Sequence, residues 1–546
     1  RESGTQSATI TDIDGNFSLN VSKAKAKLHI TMVGYKAQDV EAAAGGSVNV
    51  TLEEDAAMFE ELVVVGYGVQ RKGDITSSIA SVKAEDFNNG KVGDAAELIK
   101  GKVAGLSIVN ASGDPNASSA IQLRGTTTLV GSTTPLILVD GIEGDLKTVA
   151  PENIESIDVL KDASASAIYG TRGANVVILI TTKSGRRGET ATVTYSNYFS
   201  WSNWSRKAEF MDTHDVIYGN TQFPYEGYDT DWLAAISRKA GFKHNHSLSL
   251  SGGTKNATYA ANISYYRDWG ILRASGNHGA KAQLDYTQYI WNDILKVNVN
   301  GLFSTNKYDI NNNAVAYGAY RQAVIRNPSS PIYNEDGSYN EDFNRLQYYN
   351  PVEIQNEYFG NNRTKFMQIV GNITLTPLKG WDNKLMISWG EGTSTSETWT
   401  SPRYYSLATQ SSDINNGIAN KSEGNWVSKN LEFTSTYHNN FGDHRLEALV
   451  GYSYLYEEND GFNAGNQNFS TEAFLWNNLG NGSFINDEKK HAWMGSYRNS
   501  RKLVGFFGRI SYGYADRYNL LVSLRHEGSS KFGANHKWAT FPSVSA

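Results

Sequence analysis

The sequence contains no cysteine among its 546 residues. This absence excludes disulfide bridges, thiolate nucleophiles and cysteine-ligated metal sites together. Proline is scarce, at 10 residues. No apolar run reaches the roughly 18 residues of a transmembrane helix, so the sequence predicts none. The net charge of −6 leaves no basic excess, which argues against nucleic acid as a partner.

Glycine and aromatic residues are abundant instead. There are 51 glycines, 31 tyrosines and 12 tryptophans, and aromatic residues make up 12% of the chain. A membrane β-barrel has this kind of composition, because its strands alternate lipid-facing apolar residues with polar residues that face the lumen. That alternation keeps the mean hydropathy low, at −0.45 here. The N-terminal residues contain no apolar core of a signal peptide, so either the signal was removed or the given chain starts late.

Residues 1–54 are predicted to form a small β domain. Strands are expected at 17–21, 28–33 and 47–52. So short a segment has only a thin core, and we expect that a strand is missing before Arg1. Asp12, Asp14 and Asn16 resemble half of an EF-hand calcium loop. The rest of the spacing and the closing glutamate are absent, which favours a plain turn over a calcium site.

Residues 55–72 are predicted to link this domain to the next one. Their apolar run, Leu62–Val65, is β-branched, which predicts an extended conformation. Gly66 and Gly68 then interrupt any regular element. A short extended segment of this kind can be captured by strand addition to the sheet edge of another protein. An ordinary buried strand between two domains is the alternative.

Residues 73–188 are predicted to form a compact α+β unit of ordinary domain size. Asp94 is expected to cap a short helix that ends at Lys100, because its carboxylate can accept from the first free N–H groups. Short strands are expected at 106–109, 121–123 and 135–139. A buried strand is expected at 174–182.

From residue 189 to residue 546 the pattern becomes alternation of apolar and polar residues. Leu295, Val297 and Val299 alternate with polar neighbours, for example. We expect about a dozen strands of about 10 residues, with long polar loops at 306–364 and 458–503. A large soluble β protein would show the same alternation, but aromatic residues near strand ends match the interface girdles of a barrel. These girdle candidates are Tyr195, Tyr198, Trp201, Tyr265, Tyr266, Trp269, Tyr289 and Trp291.

Five segments together carry a resemblance to one known family. They are TDIDGNFSLNV (Thr11–Val21) with Gly34-Tyr35, LVVVGYGVQRK (Leu62–Lys72), LIKGKVAGLSIV (Leu98–Val109), IQLRGTTTL…PLILVDG (Ile121–Gly141) and IESIDVLKDASASAIYGTRGANVVILITTK (Ile154–Lys183). Through them the chain resembles the SusC-type (SusC/RagA) TonB-dependent outer-membrane transporters of Bacteroidetes. The last segment is long and unusual enough to be specific by itself. Residues 506–532 and 539–546 resemble mid-barrel strands of the same family.

The resemblance implies a mainly β fold. It implies an outer-membrane β-barrel of about 22 strands around an internal α+β plug, preceded by a carboxypeptidase-regulatory-like β-sandwich at 1–54. The plug then occupies 73–188, and 189–546 form only part of the barrel. About a dozen strands cannot close such a barrel, and an open edge in lipid would leave backbone groups unsatisfied. We therefore expect the given chain to be a fragment of an outer-membrane protein.

The resemblance also implies a function. This is active import of a nutrient oligomer, an oligosaccharide in most members and an oligopeptide in some, with a SusD-like surface lipoprotein as partner. The inner-membrane-coupled protein TonB would grip the periplasmic linker and pull the plug, so the chain needs no ATP site, and no GxxxxGK[ST] motif occurs. No cofactor, metal or enzymatic activity is expected, since HExxH and GxSxG motifs are absent. The implied TonB box consists of Leu62, Val63, Val64, Val65, Gly66, Tyr67 and Gly68.

Two further sets of residues are candidates for functional contacts. Salt bridges between plug and barrel are expected from Arg124, Asp140, Lys161, Asp162 and Arg172, with local capping as the alternative. Aromatic rings stack on sugars, and the candidates for substrate contact are Trp201, Trp204, Tyr225, Tyr228, Trp232, Tyr348 and Tyr349. Interface girdles or loop packing are the alternative for these rings.

Two other functions compete with import. A passive porin or adhesin needs neither a plug nor a linker handle, so both features argue against it. A sensory transducer resembles these transporters but carries an extra N-terminal signalling domain, and the sequence leaves that alternative open.

Overall fold

The computed structural model describes most of the chain. The described residues are 2, 5, 7–9, 11, 15–32, 37–52, 62–65, 68–71, 76–88, 90, 92, 94–110, 112–123, 125, 134–162, 166–173, 175–207, 209–219, 221–313, 318–342, 345, 348–404, 416–487 and 491–546. The chain divides into two compact units, Arg1–Ile75 and Thr76–Ala546. No helix in the described part is long and apolar enough to cross a membrane.

The N-terminal unit contains two short antiparallel hairpins. Strands β1 (Lys25–Ile30) and β2 (Gln38–Ala43) pair with Leu28 opposite Val40, and Leu28 is buried. Strands β3 (Leu62–Val65) and β4 (Gly68–Arg71) form the second hairpin. The prediction of strands at 17–21 and 47–52 is wrong, since these residues pair with no other strand. Alternating hydrophobicity predicts a half-buried face, but it does not supply a pairing partner. The suggested calcium loop falls mostly outside the described residues.

The second unit begins with a small mixed sheet. We call this sheet and its connecting segments, residues 76–183, the plug. Its strands are β5 (Ile79–Lys83), β6 (Leu106–Asn110), β7 (Ser119–Leu123), β8 (Leu136–Val139), β9 (Ile142–Glu143), β10 (Ile154–Leu160) and β11 (Val177–Thr182). The sheet order is β5-β10-β11-β8-β9, and β6 pairs with β7 in a separate hairpin. Only β11 and β8 run parallel. Ile157 and Val177 are fully buried in its core.

Short 3₁₀ helices complete the plug at Ala84–Asp86, Ala95–Ile99, Pro151–Asn153 and Ala167–Gly173. The expected cap is confirmed, because the Asp94 carboxylate accepts from the Ala96 N–H at 3.0 Å. It also accepts from the Ser119 N–H at 3.2 Å, which ties this helix to β7.

The rest of the second unit is one antiparallel sheet of twelve strands in sequence order, as the expectation of about a dozen strands required. The strands are β12 (Thr192–Ser202), β13 (Gly241–Gly253), β14 (Ala257–Trp269), β15 (Gly276–Ile290), β16 (Leu295–Ile310), β17 (Tyr358–Leu378), β18 (Trp381–Thr400), β19 (Ile418–Phe441), β20 (His444–Gln467), β21 (Trp493–Tyr514), β22 (Tyr518–Ser529) and β23 (Trp538–Ser545).

Several strands are about twice as long as predicted. β19 and β20 each contain 24 residues, and β20 and β21 occupy much of the segment expected to be a loop. The polar residues there still pair in a ladder, because the backbone hydrogen bonds of an antiparallel pair do not require alternating hydrophobicity.

Short turns join the strands at one end of this sheet and long connections join them at the other. The long connections carry the helices α1 (Thr213–Tyr218), α2 (Trp232–Ile236), α3 (Ala319–Ile325) and α4 (Pro351–Glu357). Three further 3₁₀ turns lie at Leu475–Asn477, Leu479–Asn481 and Ser483–Asn486. Trp232, Ile236 and Ile354 share a buried cluster that packs α2, α3 and α4 together.

The predicted alternation is confirmed by burial. Val299 is exposed while Asn300 is buried, and Leu524 is exposed while Arg525 is buried. Polar side chains therefore face the plug, and apolar ones form the outward face. Two girdle candidates were wrong. Tyr198 lies over the inward Lys243, and the Tyr266 hydroxyl donates to Asn306. Both have the parity opposite to their exposed neighbours Tyr195 and Tyr265, since successive residues of a strand point to opposite faces.

Candidate functional site

The candidate site is the contact between the plug and the inward face of the large sheet. Three cations of the sheet donate hydrogen bonds to main-chain oxygens of the plug. Lys243 reaches the Val92 carbonyl at 2.6 Å, Lys281 reaches that of Val149 at 2.7 Å, and Arg525 reaches that of Ile168 at 3.0 Å. Charge-assisted hydrogen bonds of this kind are short and directional. These three cations therefore hold the plug through its backbone.

The 3₁₀ turn at Ala167–Gly173 is seated on β22. Arg525 and Glu527 form a fully buried ion pair there, with side chains 1% exposed and nitrogen and oxygen 2.7 Å apart. Glu527 also accepts from the Thr171 hydroxyl at 2.6 Å. Gly170 has a φ of 61°, and a Cβ built on it would lie 2.8 Å from the Glu527 carboxylate. Only glycine permits both this backbone angle and this close approach.

Asp140 joins the plug to the sheet near the end of β8. Its carboxylate accepts from the Thr182 hydroxyl at 2.8 Å and from Gln283 and Asn300 of the sheet at 3.4 Å each. Desolvation raises the pKa of this carboxyl to about 6, and the negative charge of Asp285 contributes in the same direction. Asp140 was predicted to form a salt bridge with the barrel. It contacts the sheet, but through hydrogen bonds from the side-chain amides of Gln283 and Asn300.

Arg172 reaches the sheet through an intermediate carboxylate. It pairs with Glu143 of the plug at 3.4 Å. Glu143 lies 3.8 Å from Arg501 of β21, and Arg501 binds Glu457 of β20. This series of alternating charges crosses from the plug to the sheet.

The other three candidates for plug–barrel contact differ in their outcome. Asp162 accepts from the Ser78 N–H, and the Lys161 N–H donates to the Ser78 carbonyl at 2.9 Å. These contacts stay inside the plug and support the local-capping alternative. Arg124 lies outside the described residues.

The implied TonB box lies in the N-terminal unit. Leu62–Val65 are extended, as predicted, and pair with residues 68–71 of the same chain. Gly66 and Tyr67 lie outside the described residues. A partner that captures β3 by strand addition must either use its other edge or replace β4.

The aromatic candidates for substrate contact separate into three groups. Trp232 is 3% exposed, and its indole N–H donates to the Asn327 carbonyl at 2.8 Å. Trp204 and Tyr349 pack against the same buried cluster. These rings support the loop fold, and burial contradicts Trp232 as a contact residue in this conformation.

Two candidates remain open to solvent in the loops. Tyr225 and Tyr228 are 57% and 50% exposed. Tyr348 lies edge-on to Phe223 at 6.4 Å. Trp201 is 67% exposed but projects from β12 on the outward apolar face, next to Phe242. Its position supports the girdle alternative.

One group of possible metal ligands appears that the sequence motifs did not indicate. Asp212, His214 and Asp215 bring ligand atoms within 4.8 Å of one another and are exposed. Asp212 and Asp215 already form the capping box of α1. Their position is explained by helix capping, and no metal role follows from it.

Sequence reasoning missed the residues of the sheet that hold the plug. These are Lys243, Lys281, Gln283, Arg501, Arg525 and Glu527. A signal existed for them, because each is a long polar residue on the inward parity of a strand. Which inward residues meet the plug depends on how the plug is placed against the sheet, and the residues that touch are far apart in sequence.

Two segments of the chain match known protein families. The TonB-dependent Receptor Plug Domain family matches residues 71–177, and the CarboxypepD_reg-like domain family matches residues 2–64. The TonB-dependent receptor SusC of Bacteroides thetaiotaomicron is 30% identical over 593 residues, which cover 99% of this chain and 56% of that protein. The chain belongs to the SusC-type TonB-dependent receptors.

Other members of the TonB-dependent receptors agree with this assignment. Receptor P26 of Formosa agariphila is 30% identical, over 100% of this chain and 55% of that protein. The chain thus spans a little over half the length of these curated relatives. Among solved structures, the RagAB peptide importer in its 'open-open' state gives a TM-score of 0.76 at 24% identity, over 89% of this chain and 58% of that chain.

The structural likeness establishes the fold. The twelve-stranded sheet is part of a TonB-dependent receptor barrel that encloses the plug. The family and the barrel fold imply an outer-membrane location, and the outward apolar face of the sheet is the surface that such a location requires.

Proposed function

We propose that this protein takes part in TonB-dependent active import of a nutrient oligomer across the outer membrane. The observation that carries the proposal is the plug held against the inward face of the sheet by polar contacts to its backbone and to its side chains. Hydrogen bonds and ion pairs can be broken and remade in water, whereas a large apolar interface would resist separation. A plug fixed in this way blocks the lumen at rest and remains removable under force.

The segment 62–68 is proposed as the point at which TonB pulls. It is a short extended strand, a form that a partner can recognise by strand addition. It precedes the plug directly in sequence, so tension applied there is transmitted first to Thr76. A passive porin would need neither feature. An extra signalling domain is the property that would distinguish a sensory transducer from an importer.

The substrate is proposed to be an oligosaccharide, with an oligopeptide as the second possibility. The exposed rings of Tyr225 and Tyr228 support sugar stacking. A neighbour of similar fold is described as a peptide importer, which keeps the peptide possibility in the test. A SusD-like surface lipoprotein is proposed to cover the end of the barrel that carries the long connections.

The test combines binding and uptake in cells that carry the full-length protein. A proline at Val64 removes an N–H that strand addition would use, while a proline at Val69, which lies directly opposite Val64, makes the same change on the other edge of the hairpin. We expect Val64→Pro to abolish uptake of labelled oligomers and to retain their binding. Val69→Pro is expected to retain both.

A panel of labelled oligosaccharides and oligopeptides identifies the substrate class in the same experiment. Uptake that is equal in wild type and Val64→Pro would contradict TonB-driven import. Loss of uptake in both proline variants would place the essential element in the hairpin as a whole rather than in Leu62–Gly68.

A further inference from the structure

A contiguous row of basic residues crosses four strands on the outward face of the sheet. Arg267 of β14 lies directly opposite His278 of β15, which lies opposite Lys307 of β16, which lies opposite Arg363 of β17. Lys365 follows two residues along β17 on the same face. We call these five residues the basic row.

The basic row projects away from the plug. Ile263 and Tyr265 share the strand parity of Arg267 and are exposed, as Leu284 is on the parity of His278. The intervening residues of β15, such as Lys281, are buried and contact the plug. Residues separated by two along a strand point to the same side, so the row belongs to the surface that faces lipid.

The depth of the basic row can be read from the strands. Its residues lie about 11 to 16 positions from the short turns that end their strands. At about 3.3 Å per residue and a tilt of about 40°, this places most of them about 30 Å above those turns. The outward apolar band of such barrels is about 25 Å tall. The row therefore lies just above the band, at the end with long connections.

No ion pair joins an acidic side chain to the basic row within the described part of the chain. Like charges placed directly opposite one another destabilise a sheet. Asp309 shares this face of β16 and interacts electrostatically with Arg267, His278 and Lys307, but the basic side chains of the row outnumber it. By contrast, Lys421 on the outward face of β19 pairs with Glu397 at 2.9 Å. An external anion would offset the repulsion.

The surface below the row is shaped for a hydrocarbon chain. Ala280 and Ala282 follow His278 on the outward face of β15. Tyr265 and Ile263 stand opposite them on β14, and Phe303 stands opposite Ala282 on β16. Small residues between larger ones form a shallow groove that runs along the strand toward the middle of the membrane.

We propose that the basic row binds the phosphate groups of a phosphorylated glycolipid in the outer leaflet of the outer membrane, with an acyl chain along the alanine groove. The position at the edge of the apolar band favours a lipid headgroup over a soluble anion. Cationic side chains near a membrane surface attract anionic headgroups additively. This binding is independent of the proposed import.

The test uses full-length protein, delipidated in detergent and offered purified lipid A that carries its phosphates or has lost them to a phosphatase. Native mass spectrometry counts the lipid retained per chain. We expect the phosphorylated form to be retained at least about tenfold more strongly. The triple variant R267Q/K307Q/R363Q is expected to lose this preference by roughly 10- to 100-fold, since three attractive charges are removed.

A matched triple variant, K255Q/K379Q/R517Q, removes the same charge at the short turns and should retain the preference. The proposal is overturned if wild-type protein retains both lipid forms equally, a result that requires no variant to fold. It is also overturned if the basic-row variant binds like the control. Displacement of the lipid by millimolar inorganic phosphate would assign the row to a soluble anion instead.

Discussion

At the scale of single residues, the plug is held by side chains whose chemistry depends on burial. Asp140 has a φ of 49°, a backbone angle that Asp and Asn tolerate better than other non-glycine residues. Its carboxylate is surrounded by hydrogen-bond donors, yet desolvation outweighs them and raises its pKa to about 6. Sequence identified Asp140 as a contact residue because it ends a buried strand, but its partners Gln283 and Asn300 could not be inferred from spacing.

Asp140 predicts a specific pH dependence of stability. Because its pKa is raised in the fold, its neutral form stabilises the plug below about pH 4, and this contribution is lost as the pH rises to about 6. A shift of about two pKa units corresponds to about 3 kcal/mol. Thermal unfolding in detergent from pH 4 to pH 7 should therefore show wild type losing stability relative to Asp140→Asn. Parallel curves for the two proteins would contradict the assignment.

At the scale of elements, the strands were more predictable than their partners. The apolar and polar parities of β16, β20, β21 and β22 were evident from sequence, because a period of two fixes which face each residue takes. The lengths of β19 and β20 were not, since their outer parts are polar on both sides. The turn at Ala167–Gly173 packs against β22, and this contact joins residues more than 350 positions apart. No local sequence pattern encodes such a contact.

The buried ion pair beneath that turn predicts an asymmetry between two glutamates. Glu527→Ala leaves Arg525 buried without its partner, and removal of one member of a buried pair costs about 3–5 kcal/mol. Glu458→Ala breaks the exposed pair with Arg498 on β21, which should cost much less because water screens the two charges. Thermal unfolding should show a clearly larger loss for Glu527→Ala, with faster proteolysis of the plug turn. Equal shifts would show that the pair does not hold the plug.

At the scale of the whole molecule, five sequence segments were sufficient to predict the family and the mainly β fold. Their motifs lie almost entirely in the N-terminal unit and the plug, where short sequences fix turns such as Gly170. The wall that receives the plug was predictable only as alternation. Its functional residues, such as Lys243 and Arg525, are ordinary inward-facing polar residues until the plug is placed against them.

The account depends on the plug leaving the wall when its N-terminal end is pulled. The Thr76 hydroxyl lies 2.6 Å from that of Ser545 on β23. Because the two side chains already meet, cysteines at these positions are expected to form a disulfide. These 546 residues contain no cysteine of their own that could compete for the bridge. The single variants Thr76→Cys and Ser545→Cys are the controls.

The deciding measurement is uptake of the identified oligomer by cells that carry the Thr76→Cys/Ser545→Cys protein. We expect uptake to stop when the bridge is oxidised and to return to the level of the single variants on reduction, while surface binding stays constant. Undiminished uptake through the oxidised protein would show that import does not require the start of the plug to leave the barrel wall, and would contradict the proposed mechanism.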